Sequence, residues 1–275
     1  MNRYERKGTH LLLREGGIFL RNSLGSIFSR EFITILIPLL LAWELLPRTE
    51  MVSSSLVPPL SDIGDAFGDL LANRDLLMHT RHSLTRFFLG LILAIFTAVP
   101  LGIFMGWNIF IRKHILPLFQ LLAPVPPPAW VPITIIFFGV GLPMQLFLIF
   151  LGAFYPILFN TYQAVKDTEP RYLASARSLG ASELTLILNV YFWHSLGAII
   201  MSIKTGVAMG LVMLVIAETN GGRTGIGFLL VESKDFFQIP HMVACMMLLG
   251  GIGWTMIEIL KYTEIKLALW KVGRS

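Results

Sequence analysis

Long apolar runs separated by short polar stretches dominate this chain, and six of them qualify as membrane-crossing helices. The first, 32–46, is short against the roughly twenty residues that a crossing takes and carries Glu44 near its end. The second, 84–109, includes Arg86 and then runs without charge from Phe87 to Ile111, long enough to cross at a tilt. Between Ile115 and Val165 there is no Asp, Glu, Lys or Arg, too long a stretch for one crossing. It predicts two, 115–138 and 143–165, turning near Gly139-Val-Gly-Leu-Pro143. The fifth, 192–217, is apolar apart from His194 and Lys204, and the sixth is 241–260. An all-α membrane protein follows, with a transmembrane region at 32–262 between a segment 1–31 and a tail 263–275.

Lysine and arginine orient the spans, because cytoplasmic loops carry their excess. Arg112 and Lys113, then Lys166, Arg171 and Arg177, then Lys261, Lys266, Lys271 and Arg274 fall on the same side as the basic N-terminal segment. The opposite side holds Arg48, Arg74, Arg81, Arg223 and Lys234 among Asp62, Asp65, Asp69, Asp75, Glu232 and Asp235. Both termini are therefore expected in the cytoplasm, with 167–190 on that side and 47–83 and 218–240 as external loops. Within 1–31, Leu11 to Phe28 alternates basic residues with Leu, Ile and Phe, the pattern of a helix lying in the headgroup plane. The basic stretch and the lack of a small-residue cleavage site argue against a cleaved signal peptide.

Composition narrows the chemistry. Of 275 residues 55% are hydrophobic and 14% charged, with a mean hydropathy of +0.69, well beyond what a soluble domain needs. The pI near 9.5 arises from basic residues dispersed on loops beside apolar spans, so no nucleic-acid surface is implied. Cys245 is the only cysteine, the six histidines are scattered, and no metal site is expected. No phosphate-binding G-x-x-x-x-G-K-[ST] loop, no H-E-x-x-H and no legible grouping of nucleophile, base and orienting residue occurs. The chain is not expected to be an enzyme, and its energy source lies on another chain or in an ion gradient.

Between the fourth and fifth runs lies Tyr172-Leu-Ala-Ser-Ala-Arg-Ser-Leu-Gly-Ala-Ser182, a small-residue segment on the predicted cytoplasmic side. It resembles the EAA loop of ABC-importer permeases, E-A-A, three residues, then G. Here Ala174-Ser175-Ala176 precedes Gly180, with Ala174 in place of the glutamate and Ser175 in place of the second alanine. The nitrate, sulfonate, taurine and bicarbonate branch of that family is resembled over almost the whole length. Ser83-Leu-Thr-Arg-Phe-Phe-Leu-Gly90, Pro100-Leu-Gly-Ile-Phe-Met-Gly106, Pro124-Val-Pro126, Trp130-Val-Pro132, Phe138-Gly139-Val-Gly141, Phe154-Tyr-Pro156, Asn160-Thr161, Ala217-Glu218 and Gly225-Ile-Gly227 follow its motifs in order. The family's usual prolines after the loop are replaced by Trp193 and Gly197.

The resemblance implies a type I ABC-importer permease fold in the bacterial inner membrane, performing no chemistry of its own and pairing with a second permease copy around a central path. It implies cytoplasmic ABC ATPase subunits that bind ATP and Mg, so no cofactor on this chain, and a periplasmic or lipid-anchored solute-binding protein. Ala174, Ser175, Ala176, Arg177, Leu179 and Gly180 would dock the ATPase. The solute would be a small anion such as nitrate, a sulfonate or taurine, or bicarbonate, with a pyrimidine vitamin precursor as the alternative cargo. A gradient-driven secondary transporter is the rival class, and it would need midplane ionisable groups and symmetric repeats, of which only Lys204 is legible.

Several residues are candidates for the path or its gate. The run Pro124-Val-Pro-Pro-Pro128, including Pro126 and Pro128 and followed by Trp130 and Pro132, breaks a helix at membrane depth; it either lines a cavity or makes a packed kink. Asn160 belongs with these through the matched motif. Lys204 is deep in the fifth run, where it attracts an anion, pairs with an acid or reaches for the surface. Glu218 closes that run and gates it, pairs with Arg86 or is a plain helix-end carboxylate. The pairs Gly102 with Gly106 and Gly206 with Gly210 permit close helix crossing, within the chain or between two copies.

Overall fold

A computed structural model of the protein describes residues 30–49, 56–73 and 76–272. Those residues are helical nearly throughout, in the elements α1 (Arg30–Arg48), α2 (Leu60–Asn73), α3 (Leu76–Trp107), α4 (Ile109–Leu122), α5 (Val131–Phe138), α6 (Leu142–Lys166), α7 (Pro170–Ser178), α8 (Glu183–Gly221), α9 (Ile226–Asp235) and α10 (Ile239–Val272). The chain divides into two compact units, one of residues 76–231 and one formed by the flanking residues. All but the last residues of the expected amphipathic segment 1–31 lie outside the described residues.

Four helices among the described residues are long and apolar enough to cross a membrane: Leu76–Trp107, Leu142–Lys166, Glu183–Gly221 and Ile239–Glu264. A fifth crossing is counted if α4 and the pair Pro127–Phe138 form one broken span, bent by 87°. The first predicted span, 32–46, coincides with α1, whose 19 residues hold Arg30, Glu31, Glu44 and Arg48, too many charges for that set. The bend between α4 and α5 has a direct cause. Pro126, Pro127 and Pro128 offer no N–H, and Pro126 is held extended at φ −57° and ψ 131°, so the chain leaves the helix and re-enters through a short 3₁₀ turn.

In the unit 76–231, α6 packs along both α3 and α8, and α8 also touches α3. Phe87, Met105, Leu148, Ile149, Ile157, Leu158, Met213 and Leu214 are fully buried in this three-helix core. Lipid supplies no hydrophobic drive for apolar helices to associate, so close packing has to do it. A Cβ on Gly102 would meet Thr161 Cβ at 2.9 Å, one on Gly106 would meet Val165 Cβ at 2.5 Å, and one on Gly206 would meet Ile157 Cδ1 at 2.7 Å. These glycines are consumed within the chain as the seats of α3 and α8 on α6.

The helix α3 starts two turns earlier than the predicted span, and the expected external loops 47–83 and 218–240 contain α2 and α9. At the start of α8, Ile187–Tyr191 forms a π turn, with the Phe192 N–H donating to Ile187 O. That wider turn lets Leu186 and Tyr191, five positions apart, sit in one core cluster with Ile103, Val165 and Ile199.

The flanking unit has its own fastenings. Glu44 accepts the Ser61 N–H at 3.2 Å at the start of α2 and pairs with Arg48 at 2.6 Å, while Trp43 Nε1 donates to Pro58 O. His241 of α10 meets Asp69 of α2 at 3.0 Å. Between α9 and α10, Phe237 adopts φ 55° and is 86% exposed. Its N–H donates to Lys234 O and that of Gln238 to Ser233 O, a helix stop that ordinarily employs glycine.

Candidate functional site

Two constructions stand out in the unit 76–231. The first is the segment from α7 to the first turn of α8. Pro170 opens α7 at a position where its missing N–H costs nothing. The helix ends in a Schellman motif: the Gly180 N–H donates to Arg177 O at 2.9 Å and the Ala181 N–H to Ala176 O at 3.1 Å. Gly180 adopts φ +80°, and a Cβ there would have nothing within 4 Å. Glycine is thus required for the left-handed turn, not for a close approach within the chain. Ser182 then caps α8, accepting the Thr185 N–H at 3.2 Å.

Side chains tie this turn to the end of α3. Glu183 accepts from Trp107 Nε1 at 3.0 Å and pairs with Arg177 at 3.2 Å. Ala176 packs inward against the cluster around Val165 and Leu186, so its small size serves the seating of α7. Ala174, Ser175, Arg177 and Gly180 are exposed, and Leu179 is 89% exposed. Arg171 pairs with Glu169 and lies over the Tyr172 ring, 5.0 Å from its centroid. The hydrogen bond to the Tyr172 hydroxyl, with Glu169 adding to it, raises the guanidinium above its ordinary pKa, so it stays charged. No proline interrupts α8; its π turn precedes Trp193 and Gly197, through which the helix runs on.

The second construction is a polar latch at the far end of α3 and α8. Glu218, with a fully buried side chain, accepts from Arg86 Nη1 at 2.9 Å, from the Gly227 N–H at 2.9 Å and from Ser83 Oγ at 2.8 Å. Arg86 also donates to Thr224 O and to Thr224 Oγ1, each at 2.6 Å. Ser83 Oγ accepts the Ile226 N–H at 2.8 Å, and His79 Nδ1 accepts the Gly225 N–H at 2.9 Å, which puts the imidazole proton on Nε2. His79, Ser83 and Arg86 follow one another at helical spacing on α3, so one face of that helix grips the whole loop 224–227. Gly225, at φ +120°, presses so close that a Cβ would lie 2.3 Å from the Glu218 carboxylate.

The structure therefore brings Arg86 and Glu218 together, whereas the other path candidates lie elsewhere. Pro126, Pro128 and Asn160 are exposed and Trp130 is half-buried, its Nε1 without a partner among the described residues. Lys204 is half-buried, with Nζ 3.8 Å from Met201 Sδ. The reading from sequence did not assign His79, Ser83, Thr224, Gly225 and Gly227 to a site. Their signal was the buried acid at the end of an apolar span, which obliges nearby donors to converge. Among the described residues no group of His, Cys, Asp and Glu could hold a metal ion.

Known proteins share this architecture. A family model described as binding-protein-dependent transport system inner membrane component matches residues 98–260. An ABC transporter permease protein of Methanocaldococcus jannaschii is 32% identical over 82% of this chain and 83% of its own length. The taurine transport system permease protein of Escherichia coli is 27% identical over 84% and 86%. A nitrate import permease protein of Synechocystis is 26% identical over 89% and 92%. Among solved structures, inward-facing conformations of a methionine ABC transporter match with a TM-score of 0.57 at 15% identity, covering 72% of this chain and 94% of the other.

Proposed function

Because the chain belongs to the binding-protein-dependent transport system inner membrane component family, we propose that it is the permease subunit of an ATP-driven importer for a small anion. Its fold is the all-α fold of type I ABC-importer permeases, and it is a multi-pass inner-membrane subunit, not an enzyme. The family works with an ATPase and a solute-binding protein. On this reading the termini and α7 face the cytoplasm, as the Lys and Arg distribution favours, and two copies flank the path. ATP and Mg stay on the partner ATPase.

One observation carries the coupling role: α7 is locked inward by Ala176 and Glu183 while Leu179 projects almost wholly into solvent beside it. A rigidly based, exposed apolar side chain is suited to a cleft on a soluble partner. Movement of that partner is then passed through Ser182 into α8, whose other end carries Glu218 and the latch. The anion preference is supported by the relatives named for taurine, aliphatic sulfonate and nitrate transport.

The test is reconstitution in proteoliposomes with its cognate ATPase and binding protein. Uptake of a sulfonate or nitrate should require ATP and vanish with an ATPase unable to hydrolyse it. Uptake that instead follows an imposed ion gradient without ATP would overturn the assignment.

A further inference from the structure

At the latch end of the unit 76–231, the turn before α6, the last turn of α8 and the loop after it enclose an open cleft of ≈ 580 Å³. Three observations about its lining agree. The 25-residue α6 begins there, capped by Gly141 without a side-chain bond. Pro143 has no N–H and the Gln145 N–H donates to Gly141 O, so the free donors of the first turn are the Leu142 and Met144 N–H groups, at the positive end of the helix dipole. Gln145, one turn further in, also lines the cleft; it is 2% exposed, and its side-chain amide makes no hydrogen bond to any described residue. With the residue lining the cleft and otherwise buried, its amide finds a partner only in what occupies the cleft, water or solute. Finally, Arg86 and Arg223 line the cleft and no carboxylate does. Arg86 is held in place from behind by Glu218. Arg223 is exposed and makes no ion pair among the described residues.

We propose that this cleft is a binding subsite for a small oxyanion of the sulfonate, nitrate or carboxylate class. The oxygens take hydrogen bonds from the start of α6 and from the Gln145 amide, and Arg223 supplies the countercharge. The volume is in the range that holds much larger ligands, so the anion sits there with part of its water. This deepens the importer reading and rests on it for its meaning, since it places an anion contact on the permease itself at the end of the span that begins at the coupling segment.

Binding is testable on the full chain alone, in nanodiscs of phosphatidylcholine, by titration with taurine, nitrate, sulfate and acetate. At least one of these should bind. Arg223→Gln and Gln145→Leu should each weaken it about tenfold, the loss of roughly one hydrogen bond to a charged group, with unfolding temperatures unchanged. Absence of binding by every oxyanion, or variants that bind like the parent chain, would refute the subsite. Loss of binding when half of the lipid is anionic phosphatidylglycerol would reassign the cleft to a lipid headgroup and equally refute it. Failure of the parent chain to associate with its ATPase, by contrast, would sink the importer reading whatever the cleft binds.

Discussion

Replacing Arg86 with Met removes the cation paired with a carboxylate whose side chain is 0% exposed, while Arg86 itself is 14% exposed. The apolar stem is kept, so packing changes little. Glu218 would retain Ser83 and the Gly227 N–H as neutral donors but would have no countercharge. Breaking a buried pair by deleting one partner costs about 3–5 kcal/mol, most of it the uncompensated charge. The Thr224 acceptors released at the same time border an open cleft, where water can replace the guanidinium, so they add little. The double variant Arg86→Met with Glu218→Gln removes the charge that was stranded, and should recover about 2 kcal/mol of the loss. Equilibrium unfolding of the full chain in micelles measures all four corners of the cycle. Additive losses, or a single Arg86→Met loss under about 1 kcal/mol, would show that the pair is not the centre of the latch.

Other expectations follow from geometry already given. Gly106→Ala forces a Cβ to 2.5 Å from Val165 and should cost about 1–3 kcal/mol in the same unfolding assay. Phe237→Gly should gain about 0.5–1 kcal/mol, because it relieves φ 55° and loses an exposed ring, offset in part by glycine's extra freedom when unfolded. Leu179→Asp should leave stability within about 0.5 kcal/mol of the parent, as expected of an exposed site, and abolish co-purification with the ATPase; retained association would remove Leu179 from the docking surface. Gly180→Ala should instead lower stability by about 1 kcal/mol through backbone strain alone.

What was legible in the sequence were the features that depend on local pattern. The charge-free stretch from Ile115 to Val165 did hold a turn at Gly139–Gly141 and a break at the prolines, since both follow from which residues lack an N–H or tolerate an unusual φ. The helices α2 and α9 were not legible, because Gly64 and Gly68 among Asp62, Asp65 and Asp69, and the Gly-rich run from Gly221 to Gly227, read as loop chemistry. Arg86 with Glu218 was visible as one option, a buried acid needing a base. Ser83, Thr224 and Gly225 were hidden, because their contacts join residues 135 to 146 positions apart and nothing local announces them. The inward packing of Ala176 was hidden for a similar reason: small size serves a partner subunit or the chain's own core equally well, and sequence alone does not separate the two.

The widened turn at Ile187–Tyr191 fixes a phase relation between the two ends of α8. Each residue of an α-helix turns the chain by about 100°, so rewinding these five residues as ordinary α-helix, with none removed, would swing Glu183 out of line with Trp107. Leu186 and Tyr191 could then no longer share one face. The span is in this sense indexed like a gear tooth. Substitutions along its lipid side leave the timing between its ends untouched, whereas a change of winding at its root alters it.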